Sequence, residues 1–247
     1  HCCQKKHRDG TVSYYHQMLS AVMVHPDNKP VLPLAAEPIL KQDGCKKNDC
    51  ELNAAKRLLH DLRKAHPKMK MVIVEDALYA KAPHIKELKL HEYAYIVGVK
   101  PKDHTWLFDW VNAAACATQT LTRDNTRYQL RWCNQAPLNA SHAEVRVNFL
   151  ECVKTTPKGK PTAFTWVTSF HITKNNAFKL VQGGRARWKI ENETFNTLKT
   201  QDYHFEHNFW HGHKHLSSVL AHLMLLAFLI DQIQQMLSVA LNRLQGL

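Results

Sequence analysis

Residues 69 to 99 constrain the fold more than any other stretch of the chain. Met69 to Val74 (MKMVIV) becomes continuously apolar, ends in Glu75-Asp76, and gives way to a segment with helical character from Ala77 to Leu90, Pro83 lying near its start. Tyr93 to Val99 (YAYIVGV) reads as a second strand. Consecutive apolar residues are expected of a strand covered on both faces, and strand–helix–strand at this spacing is the unit of an α/β sheet. Upstream, Thr11 to Val24 predicts a strand that turns at His25-Pro26-Asp27-Asn28. Val31 to Leu40 carries Pro33 and Pro38 and can be at best an edge strand. Leu52, Ala55, Leu59 and Leu62 recur at helical spacing between Cys50 and His66, with Asn48-Asp49 as the capping pair and Pro67 as the stop.

From Lys100 to about Lys174 the character changes to short Thr-, Val-, Phe- and Trp-rich runs punctuated by Pro157, Gly159 and Pro161. Antiparallel hairpins are predicted there. After Gly183-Gly184 the chain turns helical through Leu198, and a long apolar helix closes it from Leu216 to about Leu244. The expected organisation is a core from 1 to 99, a β-rich insertion from 100 to 175, and a completing helical segment from 176 to 247.

An apolar fraction of 45% excludes a disordered chain. Lys and Arg outnumber Asp and Glu by 33 to 21, a formal charge of +12, which favours a polyanionic partner. Seven Cys, odd in number and scattered, do not read as a disulfide framework, and a reducing cytoplasmic setting fits them. The chain opens without a Met, so it is expected to begin inside a longer reading frame. The most apolar run, Val219 to Ile230, has 12 residues and includes His222; it is too short to span a bilayer and predicts a buried helix, with no membrane partner.

Two acids stand out. Asp76 follows a strand, where ligands of open α/β sheets collect; the plainer alternative is an N-cap of the next helix. At 100° per residue Glu191 falls within the arc of Trp188, Ile190, Phe195 and Leu198, while Glu193 points to solvent. A carboxylate on a packed face needs a metal or a cation, and Arg187 lies four residues before it. His204, His207, His211, His213 and His215, and His1, Cys2, Cys3 and His7, are weaker metal candidates. Cys45 and Cys50 read as ordinary thiols. Trp166 could stack on a base or sit in a core, and Lys154, Lys158 and Lys160 flank a turn that could meet phosphates or only solvent.

A strand ending in Asp before Ala-Leu-Tyr, a β-rich insertion, then RARWKIENETFNTLK and YHFEHN resembles the DDE transposases of bacterial insertion sequences, in the branch with a Tyr–Arg–Glu–Lys signature. The resemblance covers nearly the whole chain. It implies a ribonuclease H-like mixed sheet with a β-rich insertion and C-terminal helices, and an enzyme that cleaves and joins DNA strands at terminal inverted repeats and at target DNA. It further implies Asp76 as the second catalytic acid, Glu191 as the third, and both as ligands of two Mg²⁺ or Mn²⁺ ions about 3.5–4 Å apart. Arg187 matches the signature Arg. Gly184 stands where the signature Tyr belongs, and Leu198 where the Lys belongs, with Lys199 beside it as an imperfect substitute. DNA contacts are expected from Arg187, Lys199, Trp166, Lys158 and Lys160. A homodimer in the transposition complex and a nucleoid-associated location also follow from the resemblance.

The family's first Asp lies on a first core strand ahead of the hairpin with which this chain opens. Asp9 sits in KKHRDGT, a charged loop, and is a poor substitute. The expectation is therefore a truncated, inactive copy that binds the ions poorly; the alternative is a non-catalytic, basic DNA-binding remnant.

Overall fold

The computed structural model describes residues 3–40, 50–207 and 215–244. The chain divides into two compact units, His1–His66 with Trp188–Leu247, and Pro67–Arg187.

The second unit holds the main sheet. Its strands are β5 (Val72–Glu75), β6 (Ala94–Gly98), β7 (Ala117–Arg123), β8 (Thr126–Pro137), β9 (Arg146–Thr155) and β10 (Thr162–Thr168), ordered β5-β6-β10-β9-β8-β7. Only β5 and β6 are parallel, with Glu75 opposite Val97; β6-β10-β9-β8-β7 run antiparallel. The predicted hairpins thus extend the same sheet. A helix, α3 (Thr105–Ala113), stands inside the stretch read as purely β, burying Leu107, Phe108 and Val111. The core joins Ile96, Leu130, Trp132, Leu150, Trp166 and Leu180. Strand β5 is not covered on both faces as expected. It is the terminal strand, half-buried, with Val72 exposed.

Two helices of this unit depart from their predicted starts. The Ala77–Leu90 segment divides into a 3₁₀ turn at Ala77–Tyr79 and α2 (Ala82–Leu90), whose first turn admits Pro83 because the missing N–H has no partner there anyway. Helix α4 (Ala177–Ala186) starts before Gly183-Gly184 and contains both. A Cβ on Gly183 would lie 3.0 Å from Ile96 Cδ1, so close packing on the sheet, not a helix start, accounts for the missing side chain. The cysteine expectation is also corrected: Cys116 and Cys133 form a disulfide. The pairing of Ala117 with Trp132 brings the two thiols opposite each other, a proximity that spacing along the chain does not reveal.

The first unit opens with β1 (Cys3–Lys6) paired to β2 (Val12–Tyr15), then β3 (Gln17–Met23) paired to β4 (Leu32–Ile39). The strand read from Thr11 to Val24 is therefore two, belonging to different two-stranded sheets that change over at His16. Strand β4 pairs on one side alone, as its prolines require. Helix α1 (Glu51–Ala65) packs Ala54, Ala55, Leu58, Leu59 and Leu62; its predicted cap at Asn48-Asp49 lies outside the described residues. After a π-helical segment and α5 (Asn196–Thr200) comes α6 (Leu216–Leu244). Leu225 and Phe228 of α6 join Val31 and Leu198 in this unit's core. The helix has the expected bounds, but the expectation that its run Val219 to Ile230 is buried is overturned. The stretch Leu216–Asn242 is long and apolar enough to cross a bilayer by length and composition, and most of its apolar side chains are exposed.

Candidate active site

Asp76 stands just past the carboxyl end of β5, and the cap expected of it is formed. Its Oδ1 accepts a hydrogen bond from Leu78 N at 2.8 Å, capping the 3₁₀ turn, while the side chain stays exposed. The neighbouring Glu75 points the other way, into the protein. His84 Nε2 donates to its two carboxylate oxygens at 3.0 and 2.8 Å, and Tyr79 packs its ring 5.1 Å from that imidazole. Burial raises the Glu75 carboxyl above its ordinary value, the His84 contact opposes this, and the charge of Asp76 adds to it. Gly98 on β6 completes the support: a Cβ there would lie 3.3 Å from Ala77 N and 3.5 Å from the Asp76 carbonyl carbon. The turn that presents Asp76 is thus fixed from below by a buried pair and from the side by a missing side chain.

Glu191 belongs to the π-helical segment Ile190–Phe195. The 100° count fails there because i→i+5 bonding widens the turn and breaks the phase. Glu191 and Trp188 are exposed and Glu193 is half-buried, the reverse of the predicted arrangement for the two acids. Glu191 therefore lies off the packed face. It lines a cavity of about 810 Å³ within the first unit, together with Tyr14, His16, Lys199 and His207. Lys199 Nζ reaches Glu206 Oε1 at 2.6 Å. The segment is anchored by Lys189, buried, whose Nζ donates to the carbonyls of His25 and Pro26 at 2.7 and 3.0 Å, and of Asn28. Nothing in the local sequence distinguishes Lys189 from its solvated neighbours; only the fold gives it those three carbonyls.

Asp76 and Glu191 fall in different compact units. Among the described residues no group of three or more His, Cys, Asp or Glu side chains could share a metal ion. Asp9 lies in the β1–β2 turn, where its Oδ1 accepts from Thr11 N and Thr11 Oγ1, which lowers its carboxyl below the ordinary value.

The other candidates sort by exposure. Trp166 is 6% exposed, stacked on Phe164 and pressed on Gly184, so it is a core residue and is withdrawn as a base-stacking one. Lys158 and Lys160 are exposed in the β9–β10 turn, and Arg187 is half-buried at the end of α4. His204 takes a positive φ of 52° outside any helix, which breaks the proposed histidine face; His211 and His213 lie outside the described residues. Cys3 is buried, its thiol on the Ile39 carbonyl, which removes it from a metal knuckle; His1 and Cys2 lie outside the described residues, as does Cys45. Sequence reading missed a second cavity, about 270 Å³, where Arg185 and Arg123 lie over the rings of Phe164 and Phe178 at 4.1 and 4.6 Å beside Lys154. Its parts are too scattered along the chain to form a local pattern.

A family model described as "Transposase DDE domain" matches residues 4–229. No curated protein matches the chain.

Proposed function

The chain belongs to the transposase DDE-domain family, and from that premise we propose that it keeps two acids of the catalytic set, Asp76 and Glu191, on a ribonuclease H-like plan without the full set needed for strand transfer. The observation that carries this reading is the position of Asp76 directly after the carboxyl end of β5, where ligands of open α/β sheets collect. The Mg²⁺ or Mn²⁺ ions of the family's reaction would polarise the scissile phosphate and activate its nucleophile. No step through them is assigned to the residues present here, since the two acids supply too few ligands.

What remains is binding of double-stranded DNA. The charge of +12 supports it, with Lys158 and Lys160 on an exposed turn and Arg187 and Lys199 near Glu191 in the sequence as phosphate contacts. Incubation of the chain with duplex DNA and Mg²⁺ or Mn²⁺ tests the catalytic half: no nicking is expected, and Glu191→Gln should change nothing. Metal-dependent nicking that disappears in Glu191→Gln would overturn the reading. Fluorescence anisotropy tests the binding half, with affinity falling steeply as salt rises.

A further inference from the structure

The face of the main sheet that α4 covers turns cationic at one end. Leu130, Cys152 and Phe164 form one cross-strand row on it, and Tyr128, Lys154 and Thr162 form the next row out. Arg123 stands at the end of β7 and Arg185 in the last turn of α4. Arg123, Lys154 and Arg185 border the cavity of about 270 Å³, which is floored by buried Cys152 and Val181. Every residue that lines it belongs to the second unit.

Arg185 and Arg123 are held over the rings of Phe164 and Phe178, 4.1 and 4.6 Å from the centroids. A guanidinium packed on a ring has given up side-chain freedom in advance and keeps its N–H fork for a planar or tetrahedral oxyanion. No carboxylate of the unit takes that place. Among the described residues, the salt bridges of the second unit use Lys86, Arg131 and three histidines, and none of the three cations at the cavity. Asp124 lines the cavity as well, so three cations face one carboxylate, a formal excess of two charges. Burial pushes the Cys152 thiol up to about 11 against the pull of Arg185 and Lys154, which keeps the floor neutral.

We propose that this cavity binds a phosphate monoester dianion, gripped by Arg123, Lys154 and Arg185. Charge favours that ligand, because a monoester carries about −1.5 to −2 at neutral pH, which matches the excess, whereas an internal phosphodiester carries a single charge. Size favours it too. The volume lies below the range of about 300–1,000 Å³ usual for sites of larger organic ligands, leaving room for a phosphate and the first atoms of its bearer. A diester continues in two directions, which a floored cavity does not accommodate. The site shares no residue with Asp76, Glu191 or the turn of Lys158 and Lys160, so it stands or falls apart from the DNA contacts proposed there. Two sources present the same dianion: a free phosphorylated small molecule and the phosphorylated end of a nucleic-acid strand.

Titration calorimetry on the whole chain tests the site with inorganic phosphate and ribose 5-phosphate. Both should bind with a stoichiometry of one, and dimethyl phosphate should bind at least about tenfold more weakly, the equivalent of one charge-assisted hydrogen bond. Arg185→Gln and Arg123→Gln should each weaken phosphate about tenfold, with unchanged far-ultraviolet circular dichroism. Arg127→Gln, on the opposite face of β8 from Tyr128, should leave the affinity unaltered. An oligonucleotide that binds more tightly with a 5′-phosphate than without one, by a margin lost in Arg185→Gln, identifies a strand end as the source. Equal binding of the two strands identifies the free monoester. Should the variants not fold, the unaltered chain decides: phosphate should shield Arg123 and Arg185 from phenylglyoxal, read by peptide mass, and leave Arg127 reactive. Absence of saturable phosphate binding, dimethyl phosphate bound as tightly, affinity indifferent to both folded Arg variants, or no shielding would each overturn the site. The three cations would then only cap an apolar edge.

Discussion

Gly184 presses its backbone against the indole of Trp166, so that a Cβ there would lie 2.6 Å from Trp166 Nε1 and Cε2. This contact gives a physical reason for the departure from the family's signature at that position. The ring fills the room that a tyrosine side chain would take, and the core of the second unit is built on the ring. Gly184→Tyr should destabilise the protein by at least the overpacking cost of about 1–3 kcal/mol, read as a lower urea midpoint. Adding Trp166→Gly should recover part of the loss; a midpoint unchanged by Gly184→Tyr would show that the helix can move away freely.

Asp76 is a cap as well as a candidate ligand, and two substitutions separate the roles. Asp76→Ala removes the acceptor for Leu78 N and should cost about 1 kcal/mol. Asp76→Asn keeps an acceptor and should lose only a fraction of that while abolishing the charge. Equal midpoints for the Ala variant and the parent would mean that the cap contributes nothing measurable.

His104 gives the fold a sensitivity to mild acid. Burial lowers its imidazole below 6.5, with the charge of Lys81 adding to the effect, and Nε2 has no hydrogen-bond partner among the described residues. The unfolded chain then binds the proton more readily than the folded one, so stability present above pH 6.5 declines as pH falls through the lowered value. Denaturation midpoints at pH 7.5 and 5.5 should differ by less in His104→Gln than in the parent. An identical difference in both proteins would place the acid response elsewhere.

The exposed β9–β10 turn supplies a test of DNA contact. Each phosphate neutralised on duplex DNA contributes about 0.9 to the slope of log affinity against log salt. Replacing Lys158 and Lys160 by Gln should therefore reduce that slope by about 2 if both meet phosphates, with little change in thermal stability because both side chains are solvated. An unaltered slope would reduce the pair to a solvated turn.

Much of the second unit was legible because local pattern and fold agree there: the apolar alternation of β8, β9 and β10, and the strand ending at Glu75-Asp76, follow from side chains facing one core. Helix α3 was lost among Thr, Phe and Trp, residues that favour strands by propensity but are packed here on β8 by tertiary contact.

The sequence by itself determined the positive charge, the family likeness and the strand–helix–strand unit around Asp76, since each of these is local or compositional. Only the tertiary structure decided the rest. It turned Glu191 outward through a π-helical segment, withdrew Trp166 into the core, paired Cys116 with Cys133 beside the β7–β8 pairing, and left most of the apolar side chains of α6 exposed. The reason is common to all four. Helical phase, burial and strand register depend on which distant residues come to lie opposite, and periodicity along a chain reports a face without reporting what covers it.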